Sequence, residues 1–336
     1  QVVMLEREPA ARPVGAGIAL AENGLAVLHA LGIDVSAESS ELSGVRVVDA
    51  RGRTLFAPAG SSARMIRRSA LYSLLTDAVM RAGIDARFGE ELLGIEGTRV
   101  LTRSGALDAD LVIGADGVHS RVRQAAGFEA RVRKSGVSYV RALAPRGLAR
   151  NEEAWTSAGL FGSFDVPDGT YWYASCGTMK HALSRRDLPA LRAAWAQAYP
   201  ASEPLLDALP SFDALLINDV LQVECARYAR GNVVLLGDAA HAMAPNLGQG
   251  ANSALVDALV LRDVLQREDS IGSALAAYDR DRRPYVRKVA RTAARIGALA
   301  EQTNPVVRFF RDGLLRALSW RSVPRLAASA RGARAT

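Results

Sequence analysis

The stretch GNVVLLGDAAHAMAPNLGQGANSALVDA, residues 231–258, gathers residue types able to hold a polar ligand against bare backbone. Its continuous apolar run, Val233–Leu236, reads as a parallel strand buried on both faces. That strand delivers Gly237 and Asp238 to its carboxyl end, the end at which ligands of such sheets bind. There the Asp238 carboxylate can accept a hydrogen bond from a polyol hydroxyl. Pro245 sets a turn, and Gly248 and Gly250 let the backbone come close to a ligand. A helix expected from about Ala251 turns free N–H groups and its positive dipole end toward the same point, which also takes in Gln249 and Asn252. A plain strand–turn–helix with a capping Asp is the simpler alternative.

A second segment repeats the pattern. In DLVIGADGVHSRVRQAAG, residues 110–127, an apolar strand runs into Asp116–Gly117 and then a short helix. Here an acid that merely caps the helix is a competing explanation. The chain opens with QVVMLEREP, an apolar strand ending in Glu6 and Arg7. A strand ending in an acid is where a dinucleotide-binding fold holds a ribose, but in that fold it is the second strand, after a Gly-rich turn and a helix.

Simple elements must position these residues. ENGLAVLHALG spaces Leu25, Leu28 and Leu31 as a helix stopped by Gly32, and GVRVVDARGRTLFAP alternates and turns like a hairpin. RRSALYSLLTDAVMRAG predicts an amphipathic helix capped by Ser69 and stopped by Gly83. Residues 85–116 read as short strands. Residues 133–230 carry most of the aromatics, and TYWYAS and LLINDVLQVE alternate as in an antiparallel sheet with one face on something apolar. Helices follow to the end, and the last ten residues are expected to fray.

Composition narrows the function classes. The chain has 336 residues, 49% of them apolar, with no run long enough for a membrane span and no leader-like start. Its net charge of +7 comes from basic residues of which all but Lys134, Lys180 and Lys288 are Arg. They are spread along the chain without interleaved aromatics, as coding bias would leave them, so no nucleic-acid partner is expected. Cys176 and Cys225 lie far apart without metal spacing, which suits buried thiols and a cytoplasmic location.

Together these residues carry a family resemblance. LERE, GAGIALAENGLAVLHALG, RRSALYSLL, DLVIGADGVHSRVR, YWYAS, the GD segment and ALAAYDRDRRPYVRKV are similar to class A flavoprotein monooxygenases, the p-hydroxybenzoate hydroxylase-like superfamily. The nearest branch holds salicylate hydroxylase, urate hydroxylase and zeaxanthin-epoxidase-like proteins. The resemblance spans essentially the whole chain, and the GD segment is its most specific part. It implies an α/β fold in which a Rossmann-like FAD-binding domain is interrupted by a mixed β-sheet substrate domain. The expected divisions are 1–132 (with a substrate-side hairpin at 46–63), 133–230, 231–290, and C-terminal helices over 291–336.

The resemblance also implies roles. Glu6, with Arg7 beside it, matches the acid holding the adenosine ribose. Arg68 matches the arginine that reaches the FAD phosphates or ribityl chain, and Leu92 a position whose backbone meets the adenine. Asp116 and Gly117 match the DG motif linked to FAD and NAD(P)H. Gly237 and Asp238 match the ribityl-binding pair, and Pro245 with Gly248, Gln249, Gly250, Ala251 and Asn252 would line the isoalloxazine. A reduced flavin is negative at its pyrimidine edge, which a helix N-terminus stabilises. Glu6 as a strand-end acid and Arg68 as a surface ion pair are the plain alternatives. His241 is expected to pack rather than to catalyse.

The implied activity consumes NADPH or NADH and O2 and hydroxylates or epoxidises a small aromatic or polyketide- or isoprenoid-like substrate through a flavin C4a-hydroperoxide. Arg141, Tyr171 and Tyr173 are candidate substrate contacts. LFGSFDVP offers no basic residue to grip an anionic ring, against a urate-type substrate. Another flavin oxidoreductase of the same fold, a halogenase or a dehydrogenase, is one alternative, although the W-x-W-x-I-P halogenase pattern is absent. A non-catalytic remnant is the other. The assembly expected is a monomer or homodimer. The family's GxGxxG strand–turn–helix, which binds the FAD pyrophosphate, does not occur before Glu6, and Gly15–Gly17 follows the acid instead of preceding it. About thirty residues of the family pattern are therefore expected to precede Gln1, and the 336-residue chain is expected to hold FAD weakly.

Overall fold

In the computed structural model, residues 1–10, 16–57 and 62–319 are described. Gly15, part of the expected hairpin range and the last ten residues lie outside them. The chain forms a mixed α/β structure with a parallel part, a large mixed sheet and C-terminal helices.

The parallel part consists of two pieces. Val3–Glu6 pairs in parallel with Asp85–Phe88, while Val112–Gly114 pairs in parallel with Val233–Leu235. Among the described residues no strand ladder joins the two pieces. Val233–Leu235 is fully buried, as its unbroken apolar run demands, and sits in a core with Leu261, Leu275 and Tyr278 from the helices behind it.

The large sheet has seven strands, in the order Leu216–Cys225, Ala130–Ala144, Gly169–Ser175, Leu160–Val166, Glu152–Trp155, Arg46–Asp49, Thr54–Phe56. Its pairings are antiparallel except that between Glu152–Trp155 and Arg46–Asp49, where the predicted hairpin docks on the edge. Period-two alternation gives the sheet two unlike faces. Val140, Ala142, Trp172 and Ala174 turn to a core closed by Phe161, Trp195 and Tyr199, with Phe161 and Trp172 stacked at 5.3 Å. Tyr139, Arg141, Tyr171 and Tyr173 share the other face, since Arg141 pairs with Tyr173 across the ladder and Leu143 with Tyr171.

A small antiparallel sheet, in the order Gly17–Ala21, Ala63–Arg67, Ser39–Glu41, links the parts. Gly17 is required here: a Cβ at this residue would come within 2.3 Å of the Tyr171 ring. The helix Glu22–Ala30 ends as predicted, with Gly32 at φ +69°. The next helix corrects a detail. It runs Arg68–Arg81 with Arg67 as N-cap and no side-chain cap, so Ser69 lies inside it. The Arg68 N–H is satisfied instead by the Ala16 carbonyl at 2.8 Å, which makes a capping hydroxyl unnecessary at that donor. The long helix Ile271–Ala300 starts with a Ser270/Ser273 capping box, and Pro305–Ser319 packs after it. No helix among the described residues is long and apolar enough to cross a membrane.

Candidate active site

The two acid–glycine segments lie side by side. Val112–Gly114 and Val233–Leu235 run parallel in register, and the Leu236 N–H extends the ladder to the Gly114 carbonyl. Asp116 and Asp238 therefore leave the sheet at the same carboxyl end of neighbouring strands. Gly237 turns the chain there with φ +55°, a conformation that favours glycine. Asp238 is exposed and makes no hydrogen bond or ion pair to the described residues. Asp116 is occupied: its Oδ2 accepts the backbone N–H groups of Arg121 and Val122 at 2.6 and 3.0 Å, at the start of the helix Arg121–Ala125. In this structure it supplements Ser120, the N-cap, whose hydroxyl accepts the Arg123 N–H. Gly117, at φ +78°, has open space where a Cβ would lie.

The loop after Asp238 is held at both ends. Behind it, Asp257 is a fully buried carboxylate. Its Oδ2 accepts the Gly237 N–H at 3.0 Å and meets His241 Nε2 at 2.5 Å, while Oδ1 accepts Arg282 Nε at 2.8 Å. Burial pushes the Asp257 pKa up, but His241, Arg282 and the Gly237 N–H outweigh it, so the carboxyl lies below its ordinary value. His241 thus braces the loop through Asp257. In front, Asn252 fastens the loop to the small sheet: its amide N–H groups donate to the carbonyls of Ala19 and Gly248, and its Oδ1 accepts the Ala21 N–H. Gln249 accepts from Asn23 at 3.1 Å. Gly24 makes room for this clamp, because a Cβ there would strike the Asn252 amide.

The helix Gly250–Arg267 begins in this loop, Ala251 in its first turn, without a side-chain cap. Its first N–H groups and positive dipole end are thus free for a ligand beside Asp238. Pro245 starts a short turn ended by Gly248 in the left-handed conformation, φ +61°.

The other candidates fall into two groups. Glu6 ends its strand with Oε1 accepting the Glu8 N–H, its carbonyl accepts the Glu90 N–H, and Arg7 is exposed beside it. Leu92 is half-buried a turn further on, and Glu91 next to it reaches Arg121 at 3.6 Å, near Asp116. Arg68 lies elsewhere, beside the Tyr171 hydroxyl together with Arg141. Burial raises the Tyr171 pKa, against the pull of these two guanidinium groups. Arg141 also donates to Asn218 Oδ1 at 2.8 Å.

Sequence reasoning missed a pair of half-buried acids on the tyrosine face. Glu153 accepts from the Tyr173 hydroxyl and from Trp155 Nε1, and its burial raises its pKa. Glu301, one residue past the long helix, accepts from Ser175 Oγ at 2.9 Å and from the Tyr139 hydroxyl at 3.4 Å. Its carboxyl is pushed up to about 7, first by burial and further by the nearby Glu153 charge. The Tyr139 hydroxyl also accepts from Asn246 Nδ2 at 3.2 Å, which ties this group to the loop that starts at Pro245. No sequence motif marks these acids, because they come from two elements far apart in the chain. Cys176 and Cys225 are free, buried thiols.

The FAD binding domain family matches residues 1–293. Aurachin C monooxygenase/isomerase of Stigmatella aurantiaca is 30% identical over 94% of this chain and 88% of its own length. The 2-heptyl-3-hydroxy-4(1H)-quinolone synthase of Pseudomonas aeruginosa (strain UCBPP-PA14) is 30% identical over 94% of this chain and 87% of its own. Among solved structures, the tetrameric form of 2-methyl-3-hydroxypyridine-5-carboxylic acid oxygenase superposes with a TM-score of 0.80 at 26% identity, covering 95% of this chain and 92% of that one. The chain belongs to the FAD-binding class A flavoprotein monooxygenases.

Proposed function

We propose that this protein uses NAD(P)H and O2 to hydroxylate, or epoxidise, a small aromatic substrate on FAD. The observation that carries the reading is the emergence of Asp116 and Asp238 at one end of adjacent parallel strands, beside the uncapped N-terminus of Gly250–Arg267. These residues fit the cofactor. Asp238 is an unpartnered acceptor for a ribityl hydroxyl, and the 248–252 backbone offers N–H groups to the electron-rich edge of a flavin. Glu6 with Arg7, the Leu92 backbone and Gly117 would hold the nucleotide end, and Arg68 the phosphates or ribityl chain. The flavin, when bound, supplies the redox and oxygen-transfer chemistry.

The protein's own residues orient and enclose. Asn252 and Asp257 fix the loop, and the Tyr139–Arg141–Tyr171–Tyr173 face, tied to it through Asn246, would cover the flavin ring and exclude water. The relative named for a quinolone product favours a bicyclic nitrogen heteroaromatic substrate.

Two measurements test the reading. FAD titrated into the purified chain should give saturable binding with a perturbed flavin spectrum, lost in Asp238→Ala. The loaded protein should then oxidise NADPH or NADH and consume O2 faster when phenols or quinolones are added. A chain that binds FAD but is reduced by neither nucleotide would overturn the monooxygenase assignment.

A further inference from the structure

A cavity of about 230 Å3 opens between the strands Ala130–Ala144 and Leu216–Cys225, the loop 244–246 and the end of the helix Ile271–Ala300. Its polar lining comes from Tyr139, Gln222, Asn246, Glu301 and Ser135, and the rest is small and apolar. Among the described residues no Arg, Lys or His lines it. Arg141, whose guanidinium lies 5.7 Å from the Tyr139 ring centroid, is engaged by Asn218 and lies outside the lining.

We infer that this cavity receives a neutral aromatic ring bearing an N–H or O–H group, and that Glu301 accepts the proton of that group. The inference rests on the flavin reading above and adds to it a substrate class and a base. In the step, the ring's N–H or O–H bond breaks and a bond forms between that proton and a Glu301 carboxylate oxygen. The electron pair stays on the ring, which becomes more reactive toward an electrophilic oxygen. No further reactant is needed.

Three observations support the assignment. The lining pairs an acceptor with apolar walls and lacks a cation, so an anionic substrate would be buried without a partner. Glu301 also sits where its proton can be managed. Ser175 and Tyr139 donate to its two oxygens, and Tyr139 passes the connection on to Asn246 in the cofactor loop. Finally, the groups facing Glu301 leave it a competent base. Glu153 repels its charge, Ser175 and Tyr139 favour it, and Cys176 and Tyr173 are uncharged, both with pKa values raised chiefly by burial. Arg311, on the following helix, is paired with Asp312 and gives Nη1 to the Leu299 and Ala300 carbonyls. With the carboxyl held near 7, the base matches a neutral working pH.

The test uses binding to the full chain, without turnover. 4-Quinolone, N-methyl-4-quinolone and quinoline-2-carboxylate are titrated calorimetrically from about pH 5.5 to about pH 8.5, spanning the Glu301 midpoint. 4-Quinolone should bind, and its affinity should rise through about pH 7 as Glu301 ionises. The N-methyl compound and the carboxylate should each bind at least about tenfold more weakly. Glu301→Gln, with folding checked by its melting curve, should lose about tenfold in 4-quinolone affinity and all of the pH inflection. Ser175→Ala removes a donor to the carboxylate and should move the inflection to higher pH, a check that holds even if Glu301→Gln misfolds.

Tighter binding of the carboxylate, or an inflection unchanged in both variants, would overturn the inference. FAD binding is read separately by absorbance. Glu301-dependent quinolone binding without FAD uptake would sink the flavin reading alone, and FAD uptake with Glu301-independent ligand binding would sink this one alone.

Discussion

The loop that follows the GD strand and the tyrosine face of the seven-stranded sheet handle charge in opposite ways. At the loop, the group offered to a ligand, Asp238, is exposed and unpartnered, while the buried charge, Asp257, is fully paired by His241, Arg282 and the Gly237 N–H. On the sheet face the acids themselves are half-buried: Glu153 and Glu301 have hydroxyl and indole donors but no cation among the described residues. A carboxylate braced by a guanidinium stays ionised and serves as structure. One held by neutral donors is left near its titration point and can exchange a proton. The comparison separates a rigid platform from a chemically adjustable wall.

The contrast can be broken at the brace first. Asp257→Ala would leave Arg282 and His241 buried without their partner, and should cost about 3–5 kcal/mol of unfolding free energy, read by urea denaturation. A loss below about 1 kcal/mol would show that the loop does not depend on this ion pair.

Next in size is the pH response of the wall. Glu301 has its folded-state value raised to about 7 from 4.5, so the folded chain keeps a proton that the unfolded chain has lost. This contribution is fully present below about pH 4.5 and falls away as pH rises through about 7, by about 3 kcal/mol in all. Glu301→Gln should flatten the decline of the melting temperature across that window. An unchanged slope would mean that Glu301 ionises normally.

Asn252→Ala removes three hydrogen bonds of a buried clamp and should cost about 2 kcal/mol by the same denaturation assay. Fastening by backbone contacts alone would show as no measurable change. The smallest stability effect is expected at Asp238. Asp238→Asn should leave stability within about 0.5 kcal/mol, since the carboxylate makes no hydrogen bond or ion pair to the described residues. FAD affinity should nevertheless fall about 10- to 100-fold by titration, the weight of one charge-assisted hydrogen bond. A large stability loss instead would return Asp238 to the role of a helix cap.

The platform was legible in the sequence and the wall was not. The apolar run Val233–Leu236, the small residues after it and Pro245 through Asn252 are contiguous, so chain order alone lays out strand, turn and helix. The Gly32 helix stop and the hairpin at 46–56 could be read in the same local way. Ser69 misled because a hydroxyl at a helix start suggests a cap, whereas the Ala16 carbonyl, brought by another strand, takes the first N–H. The alternation in TYWYAS put Tyr171 and Tyr173 on one face, but only the ladder showed that Arg141 and Tyr139 share it.

The sequence by itself determined which local elements form and which segments carry acids, glycines and apolar runs. Those properties depend on near neighbours, through helical and strand periodicity and the φ range of glycine. Tertiary structure decided which carboxylates are braced and which remain proton acceptors. Asp257 gains Arg282 from the next helix, and Glu301 gains Ser175, Tyr139 and the repulsion of Glu153 from three strands of the sheet. A carboxyl group's acidity is set by the burial and the charges around it in space, and those partners lie up to 162 residues away along the chain.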